Sequence, residues 1–196
     1  MTPDATSPEL FHHVRIVMGM VVGLGITRIL MGLAGIIQHR TRPRLSLIHL
    51  LWAASILLEL VFFWWWEFEL SAIPSWSFGI FFFLIFYSVT LFLLGALLFP
   101  DKLDGYAGYE DFFLQRRHWF FGVFAITFAL DIVDTLLKGQ PYFDEMGIAY
   151  VVQIPIGIAL CIIGIWTADR RYHLGLVVAY LVYQLLWIAG LFTMHT

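Results

Sequence analysis

The sequence predicts an all-α integral membrane protein, with six transmembrane helices forming one bundle over residues 1–196. Three observations predict it. Of the 196 residues, 61% are hydrophobic, 18% aromatic and 13% charged, whereas soluble domains run about 45–50% apolar and about 25% charged. A globule of this size could not hide so much apolar surface from water, so lipid must cover much of it. The apolar residues fall into six runs of about 20 residues, the length that crosses a hydrocarbon core. The basic residues crowd into alternate connections, the pattern that keeps Lys and Arg loops cytoplasmic.

The first run covers 14–37, with Arg15 at its edge and Arg28 inside. The segment before it, Met1 to Leu10, is polar and acidic and lacks the basic start and cleavage site of a signal peptide, so this run should stay in the mature chain. Gly19 and Gly23 form a GxxxG step, continued by Gly32 and Gly35, which permits close helix approach within the bundle or between subunits. The second run, 46–66, is interrupted by His49 and Glu59. The third, 77–99, lies in a stretch free of charge from Glu69 to Asp101 and ends at Pro100; its Phe81-Phe82-Phe83 should meet lipid. The connection 101–117 mixes charge with aromatic residues, which suits a short amphipathic helix at the headgroups or an ordinary loop. The fourth run, 118–137, contains Asp131 and Asp134. The fifth, 146–167, contains Pro155, and the sixth, 174–194, has no charge.

Orientation follows from the basic residues. Arg40, Arg42, Arg44, Lys102, Arg116, Arg117, Arg170 and Arg171 lie in one set of connections, against Arg15 and Lys138 in the other. Both termini should therefore face away from the cytoplasm, in a multi-pass protein of the inner (plasma) membrane. Trp64, Trp65, Trp66 and Trp76 would join the outer aromatic belt, and Trp119 and Trp166 the inner one. Gly23-Leu24-Gly25-Ile26-Thr27 is echoed by Val123-Phe124-Ala125-Ile126-Thr127, a short apolar match. As a true repeat it would make two three-helix halves, inverted because three is odd, and transporters bind substrate between such halves.

Ionised groups in hydrocarbon cost about 2.5–3.5 kcal/mol each on insertion scales, so they face protein or water. Arg28, Glu59, Asp131 and Asp134 are of this kind. At about 1.5 Å per residue, Glu59 and Asp131 both lie about 20 Å from the cytoplasmic end of their helices, and Arg28 about 14 Å. Gln153 and Gln184 fall at similar depths. Thr127, Asp131, Asp134 and Lys138 recur at i, i+4, i+7 and i+11, one face of the fourth helix. Pro155 should break the fifth helix near Gln153, much as broken helices border transport sites. Arg28, Glu59, Asp131, Asp134, Gln153, Gln184 and Thr127 thus form a candidate polar midplane site, with the carboxylates as proton or cation ligands and Arg28 as counter-charge or anion ligand. The alternative is an internal salt bridge that fixes helix register.

His39, His49, His118 and His173 fall near cytoplasmic helix ends and are the candidates for a metal or b-type haem. Haem needs two histidines facing each other within the membrane, and only His49 sits a turn inside, so no cofactor is expected. Glu9, His12 and His13 supply too few ligands for a site. Cys161 is the single cysteine, which excludes an intrachain disulfide and a thiolate metal cluster. A net charge of −3 implies no nucleic-acid partner. Walker, HExxH, GxSxG and CxxC motifs are absent, as is any nucleophile–base constellation, so a membrane enzyme whose carboxylates and histidines act on a lipid is only the third reading.

Arg117 with Phe121-Gly122-Val123-Phe124-Ala125-Ile126 resembles part of the first-helix signature of a six-helix bacterial potassium-channel family also found in lysosomes. The Ser-Asp of that signature is missing here and the segment lies in the fourth run, so no family assignment follows. The expected function is a small channel or secondary transporter for an ion, proton or small solute. The alternative is a non-catalytic membrane subunit whose buried charges set packing. The expected partners are membrane lipid and either further copies of the chain or another membrane protein.

Overall fold

The computed structural model describes residues 7–38, 45–73 and 75–194. They form six long helices: α1 (Ser7–Gln38), α2 (Leu47–Trp66), α3 (Phe78–Leu98), α4 (Tyr109–Lys138), α5 (Gln140–Trp166) and α6 (Arg170–Met194). A 3-10 helix, Glu67–Ala72, follows α2. All six α-helices lie in segments long and apolar enough to cross a membrane.

The helix starts have local causes. Ser46 and Ser77 are N-caps; their hydroxyl oxygens accept from the backbone N–H of His49 at 3.3 Å and of Ile80 at 3.2 Å. The second and third runs accordingly begin one residue later than the apolar pattern suggests. Helix α4 begins at Tyr109, well before the expected 118. Glu110 and Asp111 in its first turn complement the helix dipole, and Asp111 accepts from Ala107 N–H at 3.0 Å and Gln115 Nε2 at 2.9 Å. The second half of the 101–117 connection is therefore neither a separate amphipathic helix nor a loop. It is the polar opening of α4.

Two glycines shape α4 and α5. Gly139 alone joins them, at φ +105°. Gly147, at φ +70°, is the non-helical residue inside α5, a conformation open to glycine and costly for other residues. The break expected at Pro155 is thus displaced. Helical structure continues through Pro155, which forfeits one backbone hydrogen bond, and the chain bends at Gly147 instead.

Chain direction alternates from helix to helix. At one end Lys138 meets Glu67; at the other His49 reaches the Leu98 carbonyl. These are called the Lys138 end and the His49 end. The ends of α1 and α6 nearest the chain termini both lie at the Lys138 end. Lys102, Arg116, Arg117, Arg170 and Arg171 lie towards the His49 end, while Arg15 and Lys138 lie towards the other. Arg40, Arg42 and Arg44 fall outside the described residues.

Helix α2 is central and touches α1, α3, α4 and α6. Its Trp52, Ala53, Ile56 and Leu60 are wholly buried. Helices α1 and α3 approach closely through Gly25, Gly32 and Gly95. A Cβ on Gly32 would lie 2.3 Å from the Phe99 ring, and one on Gly95 would meet Ile29 at 3.2 Å. The expected GxxxG pair behaves differently. A Cβ on Gly19 would meet the Trp64 indole at 3.3 Å, whereas Gly23 and Gly35 face nothing within 4 Å.

Candidate functional site

Three polar groups of side chains run in register down the core from the Lys138 end. The outermost is a buried ion triad. Lys138 Nζ donates to Asp134 Oδ2 at 2.5 Å and Glu67 Oε1 at 3.0 Å, and all three side chains are 3% exposed or less. The second oxygens, Glu67 Oε2 and Asp134 Oδ1, are buried without a partner.

The next group centres on Asp131. The Tyr150 hydroxyl donates to Asp131 Oδ2 at 2.8 Å and pairs with Thr135 Oγ1 at 2.8 Å. The Tyr87 hydroxyl approaches Asp131 Oδ1 at 3.5 Å.

The deepest group bridges α2 and α6. Gln184 Nε2 and the Tyr180 hydroxyl donate to Glu59 Oε2 at 2.8 and 3.1 Å. Ser55 Oγ donates to Gln184 Oε1 at 2.7 Å, and Gln184 Nε2 also reaches the Ser55 carbonyl at 3.3 Å. Those contacts fix which way the Gln184 amide points. From Glu67 back to Ser55 the column covers about 18 Å of helix axis.

One turn below Ser55 the polar groups stop. Trp52 packs against Phe120, Phe121 and Phe124 with ring centroids 5.0, 5.6 and 5.5 Å away. Tyr180 touches this layer as well, 5.1 Å from Phe124, so one side chain links the aromatic layer to Glu59. A void of about 30 Å³ beside it is lined by Trp52, Phe128, Cys161 and Tyr180 among others.

The remaining expected site residues are distributed as follows. Arg28 does not join the carboxylates. Its guanidinium donates to Asp101 at 2.7 Å and to the Phe99 carbonyl at 2.6 Å, both at the His49 end. The physical reason is that the last carbonyls of α3 lack intrahelical donors, and Asp101 adds an anion beside them. Thr127 is buried and donates to the Phe124 carbonyl of its own helix at 2.7 Å. Gln153 accepts a short hydrogen bond from Tyr183, tying α5 to α6. Asp134 belongs to the Lys138 triad, apart from Glu59.

The histidines serve helix ends. His49 Nε2–H donates to the Leu98 carbonyl at 2.7 Å, and its ring stacks on Tyr109 at 4.6 Å. His173 Nε2–H donates to the Thr167 carbonyl, the C-cap of α5, at 2.8 Å. Both are wholly buried. His118 is exposed beside Trp119, and His39 lies outside the described residues. Among the described residues no three His, Cys, Asp or Glu side chains are grouped to hold a metal.

Sequence reading overlooked the tyrosines, Ser55 and Glu67. The signal was there for two pairs: Ser55 with Glu59, and Tyr180 with Gln184, are each four residues apart on one helix face. Comparisons with protein-family models, curated proteins and solved structures returned no match.

Proposed function

We propose that this chain is a small inner-membrane channel or secondary transporter that moves protons, or a small cation in their place, by way of Glu59 and Asp131. One observation carries the reading. Both carboxylates lie in apolar spans and, among the described residues, neither has a cation within ion-pair distance; neutral hydroxyl and amide donors hold them instead. An uncompensated carboxylate in such surroundings is neutralised by taking up a proton or a cation. The hydrogen-bonded series from Thr135 through Tyr150 to Asp131, with the Tyr87 hydroxyl 3.5 Å from Asp131, supplies donors and acceptors around that carboxylate, and Tyr180 and Gln184 do so around Glu59. The Trp52 layer would be the closed gate, and alternating access would open it towards the His49 end. By the distribution of basic residues the His49 end is cytoplasmic and both termini face outward.

The test is proton flux in proteoliposomes, read with an internal pH dye. Wild type should exceed empty vesicles, and Glu59→Gln and Asp131→Asn should each reduce the flux at least about tenfold. Equal flux in all three, or none above empty vesicles, removes the reading.

The Lys138 triad favours a second reading. A sealed clamp between α4 and the 3-10 helix that follows α2 suits a non-catalytic subunit that holds a partner membrane protein or another copy of itself. In that case Glu59→Gln and Asp131→Asn would alter thermal stability alone.

A further inference from the structure

We propose that the cavity between α1 and α2 at the Lys138 end binds the phosphate of an anionic phospholipid headgroup. The cavity holds about 350 Å³ and is lined by His12, Arg15, Ile16, Gly19 and Trp64. That volume suits a small ligand group. Its cation is Arg15. The guanidinium lies 3.8 Å from the Phe68 ring centroid and 4.6 Å from that of Trp64, so the aromatic faces hold it in place. Among the described residues Arg15 has no carboxylate partner and no hydrogen bond, so its planar fork of N–H donors is open to an oxyanion. His12 is exposed beside it and brings a further ring nitrogen.

The surroundings select an amphiphile over a free ion. Along α1 from the cavity towards mid-helix, Met20 and Leu24 are 64% and 61% exposed. On α2, Val61 is 48% exposed and lies nearer mid-helix than Trp64. A polar mouth at the helix ends thus continues into an exposed apolar track, the layout a headgroup and acyl chain require. Gly19 keeps the cavity open, because a Cβ there would stand 3.3 Å from Trp64 Nε1. This inference shares the membrane reading with the proposed transport but uses none of its residues, so flux and lipid retention can fail independently.

The experiment is native mass spectrometry of the full chain in detergent, titrated with phosphatidylglycerol, phosphatidylcholine or inorganic phosphate. Arg15→Gln, the cavity-filling Gly19→Leu and the distant Arg116→Gln would be compared with wild type. Phosphatidylglycerol should bind wild type and Arg116→Gln alike, and Arg15→Gln and Gly19→Leu about tenfold or more weakly. Phosphatidylcholine should bind wild type weakly, and inorganic phosphate should not displace the lipid. Unchanged retention in Arg15→Gln and Gly19→Leu, equal binding of the zwitterionic lipid, or full displacement by inorganic phosphate would each overturn the assignment. Circular dichroism of both cavity variants confirms that any loss reflects the site rather than unfolding.

Discussion

Lys138 is one cation between two carboxylates, and its removal tests what the triad contributes. Lys138→Ala would leave Glu67 and Asp134 facing each other in a buried site. Leaving buried charges uncompensated costs about 3–5 kcal/mol, so the thermal midpoint in detergent should fall sharply. The triple variant Lys138→Met, Glu67→Gln, Asp134→Asn removes every charge at once and should recover most of that loss. Failure of the triple variant to recover would mean the ions themselves hold the 3-10 helix to α4. Asp134 and Lys138 were legible in the sequence as a polar stripe, because their spacing follows the helical period. Glu67 was not, since it sits in the 3-10 helix beyond the apolar run, where a carboxylate reads as solvated.

The helices pack by a few close approaches, and these localise the effects of substitution. A Cβ on Gly157 would stand 2.6 Å from the Phe128 ring. Gly157→Leu should therefore displace Phe128 from its packing against Phe124 and destabilise the protein by about 1–3 kcal/mol. Gly23→Ala meets nothing within 4 Å and should change stability by no more than about 0.5 kcal/mol. Thermal unfolding of the two variants side by side checks both expectations. Existence and order of the six helices were legible, because each apolar run is about one bilayer long. Their starts were less so. Composition marks where lipid contact ends, whereas helices continue into water as long as caps and dipole-matched charges support them, as Glu110 and Asp111 do for α4. The fifth helix shows the same limit. Proline is the usual signal of a break, but the bend falls at Gly147, where the left-handed backbone angle costs least.

Across the whole molecule, charge is asymmetric between the two ends, and this predicts orientation. On a Cys161→Ser background, a cysteine at exposed Ser75 should react with an impermeant maleimide on intact cells, and one at exposed Lys102 only after lysis. The reverse pattern would invert the assignment. Depth arithmetic from the sequence placed Glu59, Asp131 and Gln184 at one level, and the structure groups Glu59 with Gln184 directly. It could not assign partners. Arg28 instead meets the helix-end carbonyl of Phe99 and the Asp101 carboxylate, partners that depth alone does not reveal. The single-residue turn at Gly139 bears on biosynthesis. With only Gly139 between them, α4 and α5 would enter a bilayer as one hairpin. Until that hairpin docks on α2, which was synthesised earlier, Lys138 would have Asp134 and the Tyr142 ring but not Glu67. The ribosome has then already delivered Glu67, so the triad can close as soon as the hairpin arrives.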